Sequence, residues 1–198
     1  MWAFSILRIA VGWHFLYEGV VKLADPGWTS AWYLQSSQWV LADVFKWVVG
    51  TPAALQVVDF LNMWGLVFIG LGLIFGFFTR LTGLAAIVLL GLYYAANPSL
   101  ITLTPRGAEG NYLFIDKNLV ELFALLALMF VPTGKFMGID GLIANLRAKR
   151  REKREAGDSG RALDELDAVP RRAWLRHFAT VPVAGGFALA FGKKHGWP

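Results

Sequence analysis

Between Ile6 and Lys22 the chain reads ILRIAVGWHFLYEGVVK, an apolar run long enough to cross a bilayer that still carries Arg8, His14, Glu18 and Lys22. A charged side chain at mid-membrane costs roughly 2.5–3.5 kcal/mol on insertion scales, so such a helix has to turn these groups toward protein partners. His14, Glu18 and Lys22 recur at i, i+4 and share one helical face. That face is predicted to point into a helical bundle, away from lipid. The opening residues have some signal-peptide character but no small-residue cleavage site, and read as a retained first span.

The remaining chain supplies the rest of the bundle. Of 198 residues 56% are hydrophobic and only 17% charged, against about 25% charged in soluble domains. A soluble core has no room for so many long apolar runs, so the class is polytopic membrane protein. Further spans are predicted from about Met63 to Phe78, from Leu81 to Ala96, and from Lys117 to about Phe130, with Thr79-Arg80 as a short connection. Glycines at 65, 70, 72 and 76 suit close helix packing. The aromatic stretch from Trp28 to Val58 is predicted to form short interfacial helices, or a lid, broken at Gly50-Thr51-Pro52. Ser99 to Asp116 reads as a polar loop.

From Arg147 to Glu155 there are six basic and two acidic residues. In a membrane protein such a cluster is a topology signal before it is a nucleic-acid patch, and no nucleic-acid partner is expected. Arg80 and this cluster follow the second and fourth spans, so one side carries both. The positive-inside rule makes that side cytoplasmic, with the N-terminus also inside, in a bacterial inner membrane. The segment from Phe178 to Phe191 is apolar but short, either a fifth span or a re-entrant anchor. The preceding Arg171-Arg172 bears a loose likeness to a twin-arginine motif and reads better as a basic flank.

The predicted fold is therefore all-α: a four-helix membrane bundle with an amphipathic outer loop, a basic cytoplasmic tail and an apolar C-terminal segment. Its parts are 1–141, 142–173 and 174–198.

This topology brings polar residues to one depth. The first and third spans run outward and end near Glu18, Lys22, Tyr93, Tyr94 and Asn97. The second and fourth run inward and begin near Asp59, Asn62, Lys117, Asn118 and Glu121. At 1.5 Å per residue these lie in one outer layer, with His14 about a turn deeper. Arg8 lies farther in, within snorkelling reach of the inner interface. The plainest expectation is mutual satisfaction: Glu18 with Lys22, Glu121 with Lys117, His14 with a hydroxyl. The functional expectation is a pocket with His14, Glu18 and Glu121 as its chemical groups and Lys22, Tyr93, Tyr94, Asn97, Asn118, Asp59 and Asn62 as its binding groups. The absence of cysteine excludes disulfides and thiolate metal sites. Only three histidines exist, two of them in the tail, which disfavours haem, and no metal-ligand spacing is visible.

The segments LRIAVGWHFLYEGVVKLADP, GLGLIFGFFTRLTGLAAIVLLGLYY and FIDKNLVELFALLALMF, in this order, resemble the DoxX family of small bacterial membrane proteins, which includes relatives of the DoxD subunit of thiosulfate:quinone oxidoreductase. The resemblance spans roughly Ile6 to Gly141; the tail from Arg147 extends beyond the family pattern. It implies a four-helix membrane domain in a membrane-associated redox process. The expected function is a redox-associated membrane subunit holding a quinone in the outer layer, with membrane lipid and a redox protein as partners and a homo-oligomer left open. The alternative is a non-catalytic anchor or scaffold that docks a partner through the outer loop or the basic tail. A small transporter is disfavoured by the lack of an inverted repeat.

Overall fold

Trp2–Ala24 forms the first helix, α1, about 35 Å long at helical rise. It ends where Asp25 turns extended and Gly27 N–H donates to Asp25 Oδ1 at 3.0 Å. The structure, a computed structural model, describes residues 1–99, 111–155 and 181–194. The loop residues 100–110, the twin-arginine-like motif, His177 and His195 lie outside the described residues.

The aromatic stretch forms short helices, as its sequence predicts: α2 (Ala31–Gln35) and α3 (Ala42–Gly50). The next helix, α4, runs from Pro52 to Phe75, so the second span starts eleven residues earlier than the predicted Met63. Pro52 in the first turn explains the start, since its ring pre-sets the helical φ and the missing N–H is not needed there. Asp59 and Asn62 thus lie inside the helix, and do not open it. At the far end Gly76 and Phe78 both take positive φ, +64° and +46°, and turn the chain into α5 (Thr79–Ala96). Thr79 and Arg80, expected as the connection, are the first two residues of that helix.

A two-residue antiparallel ladder, β1 (Asn111–Tyr112) with β2 (Ile115–Asp116), leads into α6 (Lys117–Met129). Asp116 caps α6, its Oδ1 accepting from Leu119 N at 2.8 Å. At 13 residues, about 20 Å, α6 is shorter than the roughly 30 Å hydrocarbon core. A single-turn helix, α7 (Thr133–Phe136), precedes α8 (Ile139–Glu155), which carries the basic cluster, and α9 spans Val181–Lys194.

Among the described residues three helices, α1, α4 and α5, are long and apolar enough to cross a membrane. α1 packs most extensively on α4, α4 meets α5, α5 lies along α6, and α6 returns to α1. All four contribute to one core: Val11 and Phe15, Leu66, Ile69 and Leu73, Ala86 and Leu90, Leu125 and Leu128. The α1–α4 contact depends on Gly70, where an added Cβ would lie 2.7 Å from Leu16 Cα. Small residues allow such backbone approach in lipid, where no hydrophobic force drives helices together.

On the other face of α1 and α4 a second core forms around Leu16, Val67 and Ile74 with Phe187 and Phe191 of α9. Phe187 meets Trp13 and Phe191 meets Tyr17, so α9 runs parallel to α1. Lys194 Nζ donates to Tyr17 Oη at 2.6 Å.

Arg8 does not snorkel. It is fully buried beside Gly76, donating to the Met137 carbonyl, and ties α1 to the segment between α7 and α8.

Candidate functional site

The polar face of α1 opens onto a cavity of about 300 Å³ walled by α1, α4, α5 and α6 and covered by the α1–α2 linker and α2. His14, Glu18 and Lys22 line it from α1, Asn62 from α4, Tyr93 from α5, and Lys117, Asn118 and Glu121 from α6. Phe15, Leu66 and Leu90 form its apolar wall, and Trp28, Trp32 and Tyr33 its aromatic cover.

Two polar clusters face each other across it. In the first, Tyr93 Oη donates to Asn62 Oδ1 at 2.9 Å, and Lys22 Nζ donates to Asn62 Oδ1 at 3.3 Å and to the Tyr93 oxygen at 3.4 Å. The Lys22 ammonium also lies 5.0 Å from the centre of the Trp28 ring, a cation–π contact. In the second, His14 stands between two carboxylates. Its Nδ1 is 2.6 Å from Glu121 Oε1, and its Nε2 is 3.8 Å from Glu18 Oε1. Glu18 Oε2 is 4.0 Å from Lys22 Nζ, which links the two clusters.

The second cluster is incompletely satisfied. His14 Nδ1 is engaged by Glu121 Oε1, but the second carboxylate oxygen, Glu121 Oε2, is buried without a hydrogen-bond partner. Buried polar atoms are nearly always paired in proteins, so this oxygen at the cavity wall is a place where a polar ligand gains a contact. Lys117 stands at the start of α6, four residues before Glu121, but His14 takes the carboxylate from it. Lys117 makes no ion pair among the described residues, and lines the cavity as a free cation.

The cover is tied down from α4. Asp59 Oδ1 accepts from Ser30 N at 2.8 Å and from Ser30 Oγ, and Oδ2 accepts from Thr29 Oγ1 at 2.8 Å. Tyr33 donates to the Tyr93 carbonyl at 2.8 Å, edge-on to the Tyr93 ring. Burial pushes the Tyr33 phenol up to about 12; Asp116 adds to the rise and Asn97 opposes it.

Seven of the ten residues selected from sequence line the cavity: His14, Glu18, Lys22, Asn62, Tyr93, Asn118 and Glu121. Three do not. Asp59 holds the cover, Asn97 donates to the Tyr33 carbonyl at 2.8 Å, and Tyr94 donates to the Phe114 carbonyl at 2.8 Å, pinning the hairpin before α6. Sequence reasoning missed Tyr33, since nothing distinguishes it from its aromatic neighbours until α2 is seen folded over α5. Among the described residues no group of three or more His, Asp or Glu side chains is arranged to hold a metal.

Membrane-length helices, a shared core and a polar cavity walled from several of them define a helical membrane protein. A family model narrows this further: residues 3–96, the span of α1 to α5, match DoxX. The match ends on the last residue of α5, short of the Gly141 limit read from sequence, so the wall supplied by α6 lies beyond it. No curated protein and no solved structure matches the chain.

Proposed function

We propose that the protein is an integral membrane subunit of a redox-associated system whose outer cavity receives a quinone head group. The observation that carries the reading is the pairing, around one cavity, of hydrogen-bond donors on one side with a carboxylate–imidazole–carboxylate array on the other. A volume of about 300 Å³ suits a single ring. Reduction of a quinone takes two electrons and two protons. Lys22 and Tyr93 are placed to donate to one carbonyl, while Glu18, His14 and Glu121 pass protons toward the other. The electrons come from a partner redox protein.

In this reading α6 is the short fourth crossing of a four-helix bundle in residues 1–141, and 142–173 forms a basic tail. Within 174–198, α9 supplies a fifth span or a membrane anchor, parallel to α1. The N-terminus, Arg80 and α8 lie on the cytoplasmic side of a bacterial inner membrane by the positive-inside rule, which puts the cavity outside. The test is solvent extraction of protein purified in mild detergent. Near-stoichiometric quinone is expected from wild type, and substoichiometric quinone from His14→Phe at equal yield of folded protein. Equal quinone in both would exclude the cavity as its site.

A second reading, an anchor for a partner protein, is favoured by α8, which continues past the helical core as a basic helix. Replacing Arg147, Lys149, Arg150 and Arg151 by Ala, which keeps α9 and its core, would then abolish partner co-purification and leave the fold intact. Unchanged co-purification would remove the tail from that role.

A further inference from the structure

At the end of the α5–α6 pair remote from the outer cavity lies a second one, of about 310 Å³, walled by the first turn of α5, the last turn of α6, α7 and the start of α8. Two cations line it, Arg80 and Lys135, both exposed and neither in an ion pair among the described residues. The carboxylate present, Asp140, is already engaged. It accepts from Phe78 N at 2.8 Å, Thr79 N at 2.9 Å and Thr79 Oγ1 at 2.8 Å, capping α5 and clamping α8 to it. A third group is unclaimed: Thr133 is fully buried, lines the cavity, and its Oγ1 has no hydrogen-bond partner.

Two unpaired cations and an unpaired hydroxyl donor at an apolar wall are complementary to an oxyanion that carries hydrocarbon. We propose that this cavity binds the phosphodiester headgroup of an anionic phospholipid. Arg80 and Lys135 supply the charge, Thr133 a hydrogen bond, and the acyl chains run along the exposed apolar side of α5 at Leu81, Leu84 and Val88. That apolar path favours a lipid over free phosphate, which gains nothing from it. The inference rests on α1, α4 and α5 crossing the membrane and is independent of any quinone.

The test is native mass spectrometry of delipidated full-length protein in detergent, titrated with dioleoyl phosphatidylglycerol, dioleoyl phosphatidylcholine or inorganic phosphate. One phosphatidylglycerol is expected to be retained per chain in preference to phosphatidylcholine. R80A/K135A should weaken it about 30-fold, at roughly five-fold per basic residue near a membrane surface. Thr133→Val, which removes only the hydroxyl, should weaken it several-fold without lowering the melting temperature, and serves should the double variant fail to fold. R147A/K149A/R150A should leave this lipid in place, since those residues belong to α8 and do not line the cavity. Equal retention of phosphatidylcholine, full binding by T133V together with R80A/K135A, or loss of the lipid only in the α8 variant would each overturn the proposal. Displacement of the lipid by millimolar phosphate that is itself retained would overturn the lipid assignment.

Discussion

Glu18 and Glu121 both flank His14, but they are not equivalent. Glu18 approaches at 3.8 Å, reaches Lys22 at 4.0 Å, and has a side chain 39% exposed; Glu121 is at 2.6 Å and 21% exposed. Loose, partly solvated ion pairs contribute about 0–1 kcal/mol, so Glu18→Gln is expected to leave thermal stability within that range while impairing proton delivery to a bound ligand. Glu121→Gln removes the closer charge and should cost about 1–3 kcal/mol. Melting curves of the two variants in the same detergent check the order; a larger loss from Glu18→Gln would mean that Glu18 is the principal partner of His14. Tyr33 gives a pH dependence of its own. An unfolded phenol loses its proton near pH 10, while the folded one holds it to about 12. Stability from this group is therefore complete below pH 10 and declines as the pH rises toward 12. Tyr33→Phe loses the bond to the Tyr93 carbonyl and should melt lower at pH 8, with a shallower further decline above pH 10. Parallel pH profiles for wild type and variant would show that Tyr33 titrates normally.

The central pair of elements is α1 and α4, held close by glycine. Gly70 and Gly65 lie on the same helix, five residues apart, yet a Cβ at Gly70 would run into the Leu16 backbone, whereas one at Gly65 meets nothing within 4 Å. Gly70→Ala is predicted to destabilise by about 1–3 kcal/mol through overpacking. Gly65→Ala should be neutral or slightly stabilising, since alanine is the better helix former. Similar melting temperatures for the two variants would contradict the close α1–α4 approach. The same geometry shows what sequence could and could not reveal. Depth was legible, because the 1.5 Å rise fixes it once spans and directions are assigned; hence His14, Glu18, Lys22, Asn62, Tyr93, Asn118 and Glu121 fall around one cavity. Rotation was not. Tyr93 and Tyr94 are adjacent and differ by about 100° around α5, which sends one hydroxyl to Asn62 and the other to the Phe114 carbonyl. Asp59 and Asn62 share α4, but Asp59 lies nearer the loop and is taken by Thr29 and Ser30. The start of α4 is hidden in the sequence because Gly50-Thr51-Pro52 reads as a break that ends a helical stretch, whereas Pro52 begins the next helix.

At the scale of the whole molecule, the polar groups concentrate at the two ends of an apolar core. One end is closed by Arg8 and Asp140, which fasten α1, α5 and α8 to one another. The other end keeps a cavity with an unpaired carboxylate oxygen under a cover of Trp28, Trp32 and Tyr33. A fold stabilised mainly by packing tolerates such an incompletely paired group if a ligand completes it. The cover also provides the readout, because two tryptophans line the cavity. The decisive measurement is a fluorescence titration of the purified protein with a short-chain quinone, comparing wild type, Glu121→Gln and Tyr94→Phe, the last altered outside the cavity. Wild type and Tyr94→Phe should quench saturably with the same midpoint, and Glu121→Gln should bind about tenfold more weakly, the equivalent of one lost charge-assisted hydrogen bond. Quenching that never saturates, or identical midpoints for wild type and Glu121→Gln, would contradict quinone binding in this cavity.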